Sequence, residues 1–124
     1  MKLAINSQSK LAIYEQIVEQ IKNEIILHNI AQGDMLPSIR SLARELRISV
    51  ITTKHAYEEL LKEGLIYSKA GKGFYVAEQN RDLLREKKMQ QIEAAMSEVI
   101  VAAKGTGLSK EETKDMLLLL WEEE

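Results

Sequence analysis

The sequence predicts a mainly α-helical chain interrupted by one small β-hairpin. Three observations carry this. Apolar residues recur at helical spacing over most of the chain, serines stand where three of the helical runs begin, and two short β-rich runs flank Lys69-Ala70-Gly71-Lys72-Gly73.

Taken in order, Leu3-Ala4-Ile5 reads as a short leading strand or an extended arm. Helix one spans about Leu11 to His28, with Ile13, Ile17, Ile21 and Ile25 four apart and Tyr14 and Val18 beside them, a stripe that belongs in a core. Asn29 to Asp34 forms a loop, with Gly33-Asp34 marking a turn. Pro37 favours an extended Leu36, and the Ser38 hydroxyl can accept from the free amides of a second helix. In that helix Leu42, Ala43 and Leu46 face inward and leave Arg40, Arg44 and Arg47 toward solvent.

Ser49 caps a third helix, whose inner stripe is Thr53, Ala56, Tyr57, Leu60 and Leu61 and whose end is Gly64. Two short helices around a tight turn, followed by a hairpin, are the layout of a winged helix-turn-helix. In that layout the third helix offers its first turns to the DNA major groove, which places Ser49, Val50, Ile51, Thr52 and Lys54 against base edges and phosphates. Leu65 to Ser68 and Phe74 to Val76 are the wing strands. Between them, glycines allow close backbone approach and Lys69 and Lys72 each supply a charge, which makes a basic tip.

Beyond Val76 a charged stretch, Glu78 to Lys88, opens a long fourth helix to about Lys104, which Gly105-Thr106-Gly107 breaks. Ser109 and Glu112 have the capping-box spacing of a fifth helix ending near Trp121. The division expected is a winged helix-turn-helix over 1–77 and a two-helix extension over 78–124. Ile92, Met96, Val99 and Ala103 form one apolar stripe, and Met116 to Trp121 is apolar almost all round, more than two helices can bury between themselves. A partner surface is implied, with Ile92, Met96, Val99, Met116, Leu117, Leu120 and Trp121 as its contacts. The simplest form is a symmetric homodimer, which also spaces two reading helices for a palindromic site. The plainer alternative folds the apolar run back on helix one.

Composition narrows the function classes. At 124 residues the chain has room for one modest core, with or without a helical extension, and not for a large enzyme. It has no cysteine, which removes disulfide frameworks, cysteine nucleophiles and cysteine-rich zinc sites. The apolar run at the N-terminus is short for a signal peptide, and nothing approaches the roughly 20 apolar residues of a membrane span; a soluble, cytoplasmic protein is expected. The net charge of −2 is polarised: residues 36–76 hold seven Lys/Arg against four acids, net +3, and residues 79–124 hold seven against ten, net −3. A basic reading head and an acidic extension suit a protein whose distal part stays away from phosphate.

No catalytic or metal-binding set emerges. His28 and His55 stand alone without ligand spacing, and Gly71-Lys72-Gly73 joins strands and lacks the phosphate-loop pattern. The acid pairs Glu58-Glu59 and Glu111-Glu112 and the tail Glu122 to Glu124 read as solvated faces. Neither enzyme activity nor a cofactor is expected.

The ordered string Ile13-Tyr14-Glu15-Gln16-Ile17, Gly33-Asp34, Leu36-Pro37-Ser38, Arg40, Leu42-Ala43, Glu63-Gly64-Leu65-Ile66 and Gly71-Lys72-Gly73 to Val76 resembles the GntR family of bacterial transcription regulators. The short remainder resembles its YtrA subfamily, in which two helices replace a large effector domain. The resemblance implies DNA contacts from Arg40 early in helix two, from Ser49, Val50, Ile51, Thr52 and Lys54, and from Ala70 and Gly71 at the wing tip. Together with the apolar helices it supports a dimer, and the function expected is a homodimeric repressor that occupies an operator. Three residues depart from the pattern. Arg47 stands where the turn usually has glycine, which asks for a positive φ. Val50 and Ile51 replace polar readers and can meet thymine methyls but not guanine. Phe74 replaces a wing threonine. A small-molecule effector, if one exists, is unidentified and would bind at the dimer interface or between head and helices. The competing function is a winged helix that docks proteins without reading DNA.

Overall fold

In the computed structural model, which describes residues 1–123, the elements follow the order α1 (Ile13–Ile26), α2 (Ile39–Leu46), α3 (Val50–Lys62), β1 (Ile66–Lys69), β2 (Gly73–Val76), α4 (Arg81–Gly105) and α5 (Lys110–Glu123). Glu124, the end of the acidic tail, lies outside the described residues. The chain forms two compact units, Met1–Leu84 and Arg85–Glu124. By packing, the first unit extends past residue 77 to take in the first turn of α4, whose Leu84 rests on the core.

The first unit is built around α3, which packs on α1 and α2 and touches β1. Ile17, Ile21 and Ile25 of α1 meet Leu42 of α2, Ala56, Tyr57 and Leu60 of α3, and Ile66 and Val76 of the hairpin. Each large apolar side chain buried there contributes roughly 1.5–3 kcal/mol. Two residues expected inside are not. Ile13 sits in the first turn of α1 and Leu61 near the end of α3, and both are exposed because the neighbouring elements do not reach those helix ends.

The helix limits follow their caps. The Ser38 Oγ accepts from the Ser41 amide at 3.1 Å, and the Ser49 Oγ accepts from the Thr52 amide at 3.0 Å. Helix α1 is shorter than expected at both ends; His28 beyond it is in the left-handed region with φ 63°. Helix α4 begins later than the charged stretch suggests, because the Asn80 side chain accepts from the Leu83 amide at 3.1 Å and sets the start.

Residues 3–5 form an extended arm rather than a ladder strand. Gln20 holds Ala4 by both backbone groups, donating to its carbonyl at 2.6 Å and accepting from its amide at 2.9 Å. Gln16 does the same for Asn6 at 3.0 and 2.9 Å and also donates to the Leu11 carbonyl. Two glutamines one helical turn apart thus replace a neighbouring strand, while Leu3 and Ile5 pack against the core.

The wing is antiparallel, with Ile66 opposite Val76, Tyr67 opposite Tyr75, Ser68 opposite Phe74 and Lys69 opposite Gly73. The segment before α2 lines its other edge: the Gly33 amide donates to the Val76 carbonyl and the Leu36 amide to the Phe74 carbonyl. Gly73 has φ 128°, which an L side chain rarely adopts, so the backbone here favours glycine; the 3.2 Å that would separate a Cβ from the Met35 Cε is a contact that the exposed methionine can relieve.

In the second unit, the Ser109 Oγ accepts from the Glu112 amide and the Glu112 carboxylate accepts from the Ser109 amide, both at 3.0 Å, which is the expected capping box. The Ser109 amide, then its hydroxyl, hold the Glu112 carboxyl below its usual range. Ala103 is buried near the turn, and α5 has no buried residue. Among the described residues, no helix is long and apolar enough to cross a membrane.

Candidate nucleic-acid interface

The N-terminus of α3 is set by hydroxyl chemistry. Besides capping the helix, the Ser49 hydroxyl donates to the Thr52 Oγ1 at 2.7 Å, leaving the Thr52 proton for an outside acceptor. The fully buried Thr53 hydroxyl donates to the Ser49 carbonyl at 3.0 Å and ties the cap to the core side. The first turn of α3 is therefore held by three hydroxyl hydrogen bonds of its own residues.

On that turn Ile51 is 80% exposed and Val50 41%. Ile51 is largely open to solvent, and Val50 is partly covered. Lys54 is exposed and makes only a long ion pair of 3.9 Å with Glu58, too weak to sequester it. Arg40 is exposed on the first turn of α2 and has no ion-pair partner among the described residues.

At the wing, Ala70, Gly71 and Lys72 form the exposed tip, closed by the Lys72 amide donating to the Lys69 carbonyl at 3.0 Å, with Gly71 at φ 74°. Lys69 does not project freely; its ammonium lies 5.3 Å from the Tyr75 ring centroid, and Tyr75 stacks on Tyr67. Phe74 turns inward, edge-on to Tyr57 with ring centroids 5.0 Å apart, because its alternation in β2 faces α3. It belongs to the core rather than to the wing's outer surface.

None of the nine residues expected to contact DNA is buried, and all nine lie in the first unit. The histidines are engaged elsewhere. His55 stacks on Tyr14 of α1 at 3.8 Å and faces Glu59, and a ring nitrogen of His28 lies 2.6 Å from the Arg81 guanidinium. Among the described residues, no group of three or more His, Asp or Glu is placed to hold a metal ion. In the second unit Ile92, Met96, Val99, Met116, Leu117, Leu120 and Trp121 are all exposed. The Gln16 and Gln20 clasp was missed in the sequence; its signal was the four-residue spacing of two amides behind an apolar N-terminal segment.

Comparison with known proteins bears on this surface. The family model described as "Bacterial regulatory proteins, gntR family" matches residues 13–76. The HTH-type transcriptional repressor YtrA of Bacillus subtilis (strain 168) is 33% identical over 115 residues, covering 93% of this chain and 88% of that protein. A GntR family transcriptional regulator from Listeria monocytogenes has a similar structure, with 30% identity and a TM-score of 0.70 over 91% of this chain and 96% of that one. The DNA-binding domain of AraR, in a crystal with its operator ORE1, matches with 28% identity and a TM-score of 0.52 over 62% of this chain and 94% of that one.

Proposed function

Because the chain belongs to the GntR family of bacterial regulatory proteins and is thus a DNA-binding transcription regulator, we propose that it is a homodimeric repressor of a palindromic operator. Residues 1–77 act as the reading head and residues 78–124 as the dimerisation extension. The observation that carries this is the first turn of α3: a hydroxyl-locked helix start that displays two β-branched apolar side chains to solvent, with Lys54 beside them. Such a turn suits the major groove, where Ile51 meets thymine methyls while Arg40, Lys54 and Lys72 neutralise phosphates. The similarity to the YtrA repressor supports the direction of regulation, and the exposed faces of α4 and α5 support self-association.

Selection of bound sites from random duplex DNA at defined salt tests the reading. An enriched palindrome is expected, with log K falling against log salt by about 0.9 for each phosphate contacted. No enrichment at low salt removes the operator model, and salt-insensitive binding to a protein partner would favour a docking module instead.

At residue level, Lys54→Ala and Arg40→Ala weaken binding to all sequences alike and flatten the salt dependence. Ile51→Ala instead lowers preference at A·T positions by roughly 1 kcal/mol, the worth of a methyl contact or slightly more. Val50→Ala does so less, in keeping with its lower exposure. Competition titrations against single-base operator variants separate the two patterns. Uniform effects of all four substitutions would rule out direct apolar reading.

A further inference from the structure

Arg47 ends α2 with φ 57° and ψ 47°, in the left-handed region where glycine is free and an L side chain is strained. The turn dictates that conformation. The Arg47 amide bonds back to the carbonyls of Ala43 and Arg44, the Ile48 amide donates to the Ala43 carbonyl at 3.0 Å, and Ile48 packs against the core. The backbone therefore favours glycine, and the chain carries arginine against that preference.

Among the described residues, no polar partner of the side chain offsets that strain. The side chain is exposed, and among the described residues no ion pair, side-chain hydrogen bond or ring contact holds its guanidinium. The C-terminal carbonyls of α2 already have a cation in their last turn, Arg44. Strain held at an exposed, unpartnered charge points outward, toward a ligand. Only Ile48 separates Arg47 from Ser49, the cap of α3. A guanidinium there flanks the groove-facing end of the helix, beside the phosphates that border the groove.

We infer that Arg47 is a further DNA-backbone contact, which gains affinity at the turn without reading sequence. This rests on the DNA-reading function proposed above. A planar guanidinium suits a phosphate better than a point charge, since it can donate two parallel hydrogen bonds.

The test compares the full chain with Arg47→Gly, Arg47→Asn, Arg47→Lys and Arg44→Ala, on the duplex recovered by selection and on a scrambled duplex of equal length, over a salt series. Glycine removes the strain and asparagine tolerates the left-handed region, so both variants stay folded without the charge. Each is expected to lose on the order of tenfold in affinity, and the salt slope should shrink by about 0.9 per bound head. The loss should be the same factor on both duplexes. R47K regains most of the slope, and R44A keeps it whole. Unchanged slopes for R47G and R47N, an equal loss in R44A, or a loss confined to the selected duplex would overturn the assignment. If the unmodified chain shows no salt-steep binding to the selected duplex, the DNA-reading function itself falls and this contact falls with it.

Discussion

Tyr57→Ala lowers the melting temperature of the reading head by on the order of 15–30 °C, the equivalent of roughly 3–5 kcal/mol for a large aromatic removed from a core of this size. Tyr57 is 1% exposed and joins three elements at once. It lies in the buried stripe of α3, meets Phe74 of β2 edge-on, and donates its hydroxyl to the Pro37 carbonyl at 2.6 Å, just before α2. Truncation leaves a cavity at that junction and a carbonyl without its donor. Tyr57→Phe keeps the packing and loses only the bond, so it costs about 1 kcal/mol. A pH series provides a second check. Burial pushes the Tyr57 phenol well above its ordinary value, so the neutral form is the one the fold favours. That stabilisation is complete below about pH 10, the unfolded value, and is lost as pH rises toward the folded value. The unmodified head should therefore lose stability above about pH 10 through a component that Tyr57→Phe lacks. Equal alkaline profiles for the two proteins would show that the phenol is not buried in this way.

The paired substitution Leu117→Glu with Leu120→Glu gives a monomer in sedimentation and lowers operator affinity by about 10²–10⁴-fold. Helix α5 has apolar side chains in six consecutive positions, Met116 to Trp121, and all six are exposed in the chain alone, Trp121 at 76%. A surface of that kind is costly in water and calls for a partner. Two carboxylates at its centre remain unpaired if the surface is buried, and a symmetric interface suffers the effect twice. In the homodimer proposed above, joining two heads makes the second half-site an intramolecular event, so the monomer would forfeit that gain while each head keeps its fold and its weak single-site binding. Near-ultraviolet circular dichroism of the Tyr57 environment monitors the head. A variant that stays dimeric, or one that becomes monomeric and binds the operator undiminished, would remove α5 from the assembly proposed here.

Much of the fold was legible because its signals are short-range. Ser38, Ser49 and the Ser109–Glu112 pair mark helix starts within three residues of the amides they bond, so the caps could be assigned without knowing what lies nearby. The isoleucine stripe of α1 and the β-rich runs around the wing tip work the same way, through periodicities of 3.6 and 2. Candidate interface residues were legible as a set, since a helix-turn-helix offers one particular turn of one particular helix. Their individual orientations were not. Val50 and Ile51 are equivalent in the sequence, and only packing decides that Ile51 is the more exposed.

By itself, then, the sequence determined where the three serine-capped helices start, which faces are apolar, where the charge concentrates and which turn could read DNA. Each of these depends on neighbours a few residues apart along the chain. The tertiary structure alone decided that Phe74 closes the core on Tyr57, that Ile13 and Leu61 lie outside it, and that Gln16 and Gln20 hold the N-terminal arm. The left-handed turn at Arg47, expected from its place in the helix-turn-helix, is held against local propensity by the return of Ile48 to the core. Those outcomes depend on contacts between residues far apart in sequence, where burial of apolar surface and satisfaction of backbone polar groups outweigh local preference.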